Sequence, residues 1–208
     1  VDFIHCSLVL FVAILMLYTT QRTDIANLLY KKQLATFTHH LNTLANRDEL
    51  TGLYNRHAMQ NILQRSWHSH TNYNKHFFLV MCDIDYFKNL NDSYGHISGD
   101  LILKQLAEIL HTKFRETDYV ARWGGDEFLI LLSDINCPLE AKSLVERVRL
   151  AIEETDFAIT DNSSVKLSMT FGCAGAGNHK SLESVFDAAD AQLYLGKQGD
   201  RNTVCIEE

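Results

Sequence analysis

The sequence predicts an α/β domain with a mixed β-sheet flanked by helices, preceded by an N-terminal helical stalk. Three observations lead to this prediction. Apolar runs of strand length alternate with longer stretches of helical periodicity. Two of the strand-like runs flank a Gly-Gly pair, which is typical of a tight hairpin turn between antiparallel strands. Residues 21–46 contain neither glycine nor proline, which favours one uninterrupted helix.

The composition limits the classes of function. The chain has 208 residues, of which 46% are hydrophobic, enough for one packed α/β domain with an appendage. The formal net charge of −7 argues against a general nucleic-acid binder, so we expect no nucleic-acid partner. The cysteines and histidines show no metal-ligand spacing, so a zinc site is not predicted.

Residues 3–18 are almost wholly apolar, but this run is shorter than the ~20 residues that a membrane span needs. Because the chain opens with Val1, we interpret residues 1–20 as part of a transmembrane helix. A signal-peptide core and a buried helix are the alternatives. The cations Arg22, Lys31 and Lys32 follow the run and favour an exit into the cytoplasm.

Residues 21–46 are predicted to form a coiled-coil linker that holds two copies of the chain together. Apolar residues recur there at the 4-3-4-3 spacing of heptads. A single helix packed on its own domain would give the same stripe. The heptad positions are Tyr30, Leu34, Phe37, Leu41 and Leu44.

The remaining elements follow in order after the linker. A helix begins near Asn55, residues 68–75 are polar and loop-like, and Phe77–Cys82 is a strand buried on both faces. Then come a short helix at 86–92, a loop at 94–100, a helix at 99–114, the Gly-Gly hairpin, a helix at 139–154, a strand at 165–175, a helix at 181–196 and a strand at 203–206.

The stretch Arg122–Phe128 delivers Asp126 and Glu127 side by side at the exit of the hairpin turn. Two adjacent acids beside a bare glycine backbone suit a phosphate ligand with a divalent cation. An ordinary hairpin with solvated acids is the alternative. Asp83 directly follows the buried strand, and the end of a central strand is a common place for a metal.

Together these residues resemble one family, the GGDEF domain of diguanylate cyclases. Asp48–Arg56 matches its D-x-L-T-G-L-x-N-R opening, and Asp83–Asp100 matches its D-x-D-x-F-K-x-x-N-D-x-x-G-H-x-x-G-D block. Gly124–Phe128 is the signature without substitution, and Lys197 and Arg201 match the basic pair near the C-terminus. Four motifs in the right order make the resemblance specific.

The resemblance implies that residues 47–208 form a GGDEF domain with a nucleotidyl-cyclase or polymerase-palm type of sheet. It implies a diguanylate cyclase that condenses two GTP into cyclic di-GMP and two pyrophosphates. We expect two Mg²⁺ per active site, with Mn²⁺ as a substitute, and a homodimer inhibited by its own product. We expect the chain in a bacterial inner membrane, with the catalytic domain in the cytoplasm.

The resemblance also assigns roles to residues. Asp83, Asp126, Glu127 and the backbone carbonyl of Ile84 would hold the metal, and oxygen ligands suit Mg²⁺. Asp126 matches the position of the proton acceptor, with Glu127 assisting.

Three further residues, Asn91, His96 and Asp100, would bind the nucleotide. A carboxylate can accept hydrogen bonds from guanine N1–H and the exocyclic amine, and an amide can pair with N3 or O6. The side chains expected to hold the triphosphate and stabilise charge in the transition state are Lys88, Lys197 and Arg201.

A second site is predicted from R-x-x-D, just upstream of the signature, where the family binds its inhibitory product. Arg115 can donate two hydrogen bonds to a guanine or phosphate, and Asp118 can accept one from guanine N1–H. Arg147 falls where a second arginine of this site is expected. A charged helix terminus is the alternative.

Several residues are interpreted as structural. Asp48 and Arg56 are predicted to form an ion pair. Asp85 and Asp92 could equally cap helices, so both are left out of the metal site. Asp200 stands where the family usually has glycine, which is a departure at the turn before Arg201.

Two other classes of function compete with the enzyme: a non-catalytic receptor for GTP or cyclic di-GMP, and a purely structural dimerisation module. Degenerate domains of the receptor kind usually lose signature acids. The acids and amide of the site are intact here, which favours catalysis; they are Asp83, Asn91, Asp100 and Asp126.

Overall fold

The structure is a computed structural model that describes residues 16, 18, 20–22, 30–33, 45–160 and 163–207. The chain divides into two compact units, residues 1–45 and residues 46–208. The described residues of the first unit are helical. No helix within the described part of the chain combines the length and apolar character needed to cross a membrane. Most of the apolar run and the heptad positions from 34 to 44 lie outside the described residues, so the transmembrane and coiled-coil assignments stay predictions.

The second unit is built on a five-stranded sheet with the strand order β2-β3-β1-β6-β7. Neighbouring strands run antiparallel except β6 and β7, which run parallel, so the sheet is mixed as predicted. β4 and β5 form a separate two-stranded hairpin. The strands are β1 (Phe77–Ile84), β2 (Tyr119–Gly124), β3 (Glu127–Ser133), β4 (Phe157–Thr160), β5 (Ser163–Val165), β6 (Met169–Gly175) and β7 (Val204–Ile206).

Helices cover both faces of this sheet. Phe78 and Val80 belong to a buried cluster that includes α2 and α3, whereas Phe77 and Leu79 belong to a second cluster that includes α1 and α4. This alternation along β1 confirms a strand buried on both sides. The helices are α1 (Arg56–Tyr73), α2 (Phe87–Lys113), α3 (Pro138–Glu154) and α4 (Leu182–Gln198), with a 3₁₀ turn at Ala176–Asn178.

Helix α2 replaces the predicted sequence of short helix, loop and helix. Its backbone is helical from Phe87 to Lys113 except at Gly95, where φ is 82° and ψ is 159°. Glycine reaches this positive φ without the strain that a side chain would cause. The predicted loop at 94–100 is therefore wrong, because the chain has only a kink at Gly95 and stays helical on both sides of it.

Two other predictions of local structure were wrong. Residues 68–75 are not a loop, because α1 continues to Tyr73. Polar side chains there bond back to carbonyls of their own helix: Thr71 Oγ1 donates to Trp67 O at 3.1 Å, and Asn72 Nδ2 donates to His68 O at 2.8 Å. The helix ends at Asn74, whose φ of 55° is left-handed.

The predicted strand at 165–175 is shorter, since β6 begins at Met169. Val165 belongs instead to β5 of the β4–β5 hairpin, which the sequence did not predict, and residues 166–168 connect this hairpin to β6. Gln105 of α2 fastens this hairpin by accepting a hydrogen bond from Ala158 N at 3.0 Å and donating one to Ala158 O at 2.9 Å.

Candidate active site

The acidic site forms where β1 ends beside the β2–β3 hairpin. Asp83 pairs with Glu127 in the antiparallel register of β1 and β3, so both side chains project from the same face of the sheet. Ile84 N donates to Asp126 O at 3.4 Å, which holds the turn against the end of β1. The predicted juxtaposition of Asp83 with the signature acids is therefore a consequence of strand pairing.

The signature turn itself leaves open space above its backbone. Gly125 has a φ of 55°, and no other heavy atom lies within 4 Å of the position a Cβ would take at Gly124 or Gly125. Arg122 Nε donates to Gly125 O at 3.0 Å and so stabilises the turn. A bulky ligand could thus approach the glycine backbone beside Asp126.

Negative charges crowd this end of the sheet. Burial, together with repulsion from Asp126 and Asp85, raises the pKa of Asp83 despite the opposing contact of Lys197. Burial also raises the pKa of Glu127, and repulsion from Asp83, Asp126 and Asp190 adds to the rise. The cluster is thus arranged so that a cation would stabilise it.

These residues fit a magnesium ion. Their donors are carboxylate oxygens with the Ile84 carbonyl nearby, and Mg²⁺ prefers oxygen. Among the described residues, no three His, Cys, Asp or Glu side chains form a group that could hold a metal alone. A cation at Asp83 and Asp126 would therefore take further oxygens from water or from phosphates, as Mg²⁺ commonly does.

Lys197 lies against the acids instead of pointing freely into solvent. Its ammonium contacts the carboxylate of Asp83, donates to the Asp83 carbonyl at 3.3 Å and donates to Asp85 Oδ1 at 2.9 Å. Although burial alone would raise the pKa of Asp85, hydrogen bonds from Lys197, Ser168 and Thr170 lower it overall. Asp85 caps no helix, contrary to one of its two interpretations, because α2 begins after Tyr86 without a side-chain cap.

Arg201 completes the basic side of the site. Its guanidinium lies 4.7 Å from the centre of the Tyr86 ring, and both residues have a left-handed backbone, with φ of 58° and 57°. The left-handed residues of this turn are Arg201 and Asn202, not Asp200. An aspartate in place of the family's usual glycine therefore costs no backbone strain here.

A cleft of about 730 Å³ brings six of the predicted residues together. They are Asp83, Ile84, Lys88, Asp126, Lys197 and Arg201. Asp187, Asp190 and Tyr194 also line the cleft, and the sequence prediction missed them. Their spacing before Lys197 places them on one face of α4, and this periodicity was a signal that could have found them.

The residues predicted to read guanine lie apart from that cleft lining, along α2. His96 and Asp100 are exposed. Asn91 Oδ1 is buried and has no hydrogen-bond partner among the described residues. It lies 2.0 Å from the position of a Cβ on Gly99, so any side chain at residue 99 would force this amide to move. A buried acceptor without a partner suits a donor from a ligand.

Comparison with known proteins identifies the family of the chain. Residues 45–203 match the family described as diguanylate cyclase, GGDEF domain. The chain belongs to the GGDEF domain family. Diguanylate cyclase DosC of Escherichia coli is 33% identical over 157 residues, which are 76% of this chain and 34% of DosC. The protein YhcK of Bacillus subtilis is 34% identical over 197 residues, 93% of this chain and 52% of YhcK. The chain thus spans only a third to a half of these relatives.

Solved structures show the same fold. The coiled coil and GGDEF domain of DgcB from Caulobacter crescentus, in complex with cyclic di-GMP, has a TM-score of 0.81 at 25% identity. The match covers 89% of this chain and 98% of the DgcB chain in that structure. The GGDEF domain of PA1120 from Pseudomonas aeruginosa has a TM-score of 0.74 at 29% identity and covers 78% and 94% of the two chains.

In this GGDEF domain, the two charged residues of R-x-x-D differ in burial and in their hydrogen bonds. Asp118 is buried, and its carboxylate accepts hydrogen bonds from Arg115 N and Ser133 N, both at 3.1 Å. Arg115 is exposed, and its guanidinium lies 3.7 Å from Glu140 at the start of α3. Arg147 is exposed one heptad further along α3, roughly 10 Å from Glu140 along the helix axis.

The predicted ion pair of Asp48 with Arg56 is wrong. Asp48 pairs with Arg122 at 3.3 Å and also accepts hydrogen bonds from the amide and hydroxyl of Thr51. Arg56 lies over the ring of Trp123 at 4.7 Å. The sequence distance of 74 residues between Asp48 and Arg122 hides this pair from any local pattern.

Proposed function

We propose that the protein is a diguanylate cyclase that condenses two GTP into cyclic di-GMP and two pyrophosphates. The observation that carries the proposal is one cleft in which Asp83 and Asp126 face Lys197 and Arg201. Two carboxylates can bind a metal ion, and the two basic side chains beside them can bind phosphates. This combination suits transfer of a nucleotidyl group. Membership of the GGDEF family and likeness to DosC support the same reaction.

The reaction requires a ribose 3′-hydroxyl to attack the α-phosphate of a second GTP in line, with pyrophosphate leaving. Bound Mg²⁺ would act as a Lewis acid that lowers the pKa of the hydroxyl and neutralises charge on the phosphates. Asp83, Asp126, Glu127 and the Ile84 carbonyl would hold it, with Mn²⁺ as a possible substitute. Asp126 would also accept the hydroxyl proton.

The basic residues Lys88, Lys197 and Arg201 would hold the triphosphate and offset the charge that develops on the departing pyrophosphate. Lys197 is already shared between two carboxylates, so its ammonium can turn towards a phosphate without leaving Asp85. Asn91 and Asp100, with His96, would bind the guanine. The buried, unpaired Asn91 Oδ1 supports this role, since guanine offers donors on its Watson–Crick edge.

We further propose that two copies of the domain face one another, each holding one GTP, and that cyclic di-GMP inhibits through Arg115, Asp118 and Arg147. The coiled-coil linker would raise the local concentration of the two domains, and the apolar run would anchor them to the membrane. Membrane fractionation of the protein with and without residues 1–20 tests the anchor. Recovery of both forms in the soluble fraction would contradict the proposed membrane anchor.

Incubation of the protein with GTP and Mg²⁺, followed by chromatography for cyclic di-GMP, tests the proposal. We expect cyclic di-GMP and pyrophosphate in a ratio of one to two. Binding of GTP or cyclic di-GMP without turnover would favour the receptor. Failure to bind either would favour the structural module.

A further inference from the structure

Asp85 is the most fully bonded acid near the active site, although it is not placed among the metal ligands. Its side chain is 1% exposed. Ser168 and Thr170 donate hydroxyl hydrogen bonds to it at 2.7 Å, Lys197 donates at 2.9 Å and Asn202 N donates at 3.1 Å. A buried carboxylate with this many donors is firmly held in one place.

Two of these donors belong to the basic side of the cleft. Lys197 lies at the end of α4 and lines the cleft directly. Asn202 N follows Arg201, so the hydrogen bond from Asn202 fixes the turn that carries the second cation. Arg201 lies over Tyr86, which is the residue after Asp85. One carboxylate thus connects both cations to the end of β1.

The turn is held from its other side as well. Arg149 Nη1 donates to Asn202 Oδ1 at 2.7 Å, and Asn202 Nδ2 donates to Glu153 at 2.7 Å. The backbone amide and the side chain of Asn202 are therefore both occupied. With Asn202 held at two points, Arg201 keeps its left-handed backbone and its place over Tyr86.

We propose that Asp85 is a positioning residue of the triphosphate site, which orients Lys197 directly and Arg201 through Asn202. The inference rests on the proposed function, in which these two cations bind the phosphates. It assigns Asp85 no contact with substrate and no part in the chemistry. Its effect is to hold the two cations in the arrangement that the phosphates require.

The sign of the effect separates positioning from simple electrostatics. Asp85 is an anion beside the place where a polyanion is proposed to bind. By Coulomb's law alone, removal of its charge should tighten the binding of GTP. If Asp85 acts by positioning, removal of the charge should weaken the binding of GTP, because Lys197 and the Asn202 turn lose their common acceptor.

The test compares Asp85→Asn with Asp187→Asn in the full chain. Asp187 lines the same cleft but makes no side-chain hydrogen bond in the described part of the chain, so its replacement changes only charge. Calorimetry with Mg²⁺ measures binding of 3′-deoxy-GTP, which cannot form the new bond, and of GMP. We expect Asp85→Asn to weaken binding of the triphosphate about tenfold and to change that of GMP by no more than about twofold. Asp187→Asn should bind the triphosphate as well as the wild type or more tightly.

A double-mutant cycle with Lys197→Met measures the coupling between Asp85 and Lys197 in triphosphate affinity. A merely structural role of Asp85 would give no such coupling. If Asp85 acts largely through Lys197, the fold-loss in triphosphate affinity caused by Asp85→Asn should be less than half as large in the Lys197→Met background as in the wild type. Thermal unfolding checks that each variant folds. If Asp85→Asn does not fold, Thr170→Val replaces it, since this variant removes one donor at nearly constant volume, and we expect the triphosphate-to-GMP affinity ratio to fall about threefold.

The outcomes distinguish the inference from the function on which it rests. A wild-type protein that binds no 3′-deoxy-GTP overturns both. Normal binding by the wild type together with unchanged or tighter binding by Asp85→Asn overturns the positioning role alone. Equal weakening of GMP and of the triphosphate, or full additivity with Lys197→Met, also overturns it.

Discussion

Asp83 and Glu127 lie directly opposite each other in the antiparallel register of β1 and β3. Burial and repulsion from Asp83 and other acids raise the pKa of Glu127, and burial with repulsion from Asp126 and Asp85 raises that of Asp83. Because both residues belong to paired strands, the backbone holds the two carboxylates on one face of the sheet, where a cation would stabilise them. This cost to the free protein is consistent with a site shaped for a metal-bound ligand.

Asp126→Asn tests the signature acid. The metal would lose a charged ligand and the 3′-hydroxyl its proton acceptor, so we expect cyclic di-GMP synthesis to fall about a hundredfold or more. Asp126 is partly exposed, and the substitution keeps its volume, so the unfolding temperature should change little. Synthesis is measured by chromatography of the nucleotides.

The matched control for that substitution is Asp134→Asn. Asp134 is exposed and has a left-handed φ of 54°, which asparagine adopts readily. It should retain full synthesis and stability. Wild-type turnover by a folded Asp126→Asn protein would show that the acid is not part of the catalytic site.

The sequence could predict the parts of this site that local patterns encode. The continuous apolar run of β1 and the Gly-Gly turn predicted the three central strands, whereas the meeting of Asp83 with Asp126 was predicted by the resemblance to the GGDEF family. Contacts between distant residues were not predictable in this way. The partner of Asp48 lies 74 residues away, and the donors to Asp85 lie 83 to 117 residues away. The β4–β5 hairpin was missed because two short strands give little periodicity.

Arg122→Ala tests the link between Asp48 and the signature turn. Arg122 donates to both Asp48 and the Gly125 carbonyl, so its loss leaves a half-buried carboxylate and a turn carbonyl without this partner. We expect the free energy of unfolding in urea to fall by about 1–3 kcal/mol. We also expect kcat to fall more than the affinity for GTP, because Asp126 follows the loosened carbonyl.

The stability of the Arg122→Ala protein should also depend less on pH. Burial opposes ionisation of Asp48, but hydrogen bonds from Thr51 and the charge of Arg122 lower its pKa overall below the ordinary 3.8. A lowered pKa adds stability that is present above 3.8 and is lost as the pH falls through the lowered value. Without Arg122 this acid-side loss should be smaller. Arg47→Ala removes a neighbouring cation that lies over Tyr54, and should leave the pH dependence unchanged.

Asp100→Ala tests the base pocket by selectivity. ITP lacks the exocyclic amine of guanine, so an acceptor for that amine should make the wild type prefer GTP to ITP. Loss of the Asp100 carboxylate should weaken the binding of GTP by roughly 1–3 kcal/mol and reduce the preference for GTP over ITP. Glu108→Ala, at an exposed acid of the same helix, is the control. Equal use of ATP and GTP by the wild type would contradict this account of the pocket.

Arg115→Ala tests product inhibition. Arg115 is exposed and lies outside the cleft that is proposed to bind GTP, so its removal should weaken inhibition by cyclic di-GMP without slowing the first turnover. Asp118 is a poorer probe, because its buried carboxylate holds two backbone amides and its loss should destabilise the fold. Titration of the product against the wild type, Arg115→Ala and the neighbouring control Lys113→Ala measures the effect. Identical inhibition curves would show that Arg115 of the R-x-x-D motif takes no part in product inhibition.

The last prediction concerns assembly. The cleft of about 730 Å³ is proposed to hold one GTP, but the product needs two, so each domain carries half of a reaction site. Specific activity should therefore rise with protein concentration. Removal of residues 1–45, which leaves the compact unit of residues 46–208, should make this rise steeper, because the heptads would no longer keep two domains close together.

Replacement of residues 1–45 by an unrelated parallel dimeric coiled coil is the control for that deletion. It should restore activity at low protein concentration without any of the original contacts, because the linker is proposed to act only by raising the effective concentration. Initial rates over a hundredfold range of protein concentration, with sedimentation to measure the fraction of dimer, provide the measurement. A specific activity that is independent of concentration in the shortened protein, while sedimentation shows only monomer, would mean that one domain completes the reaction alone.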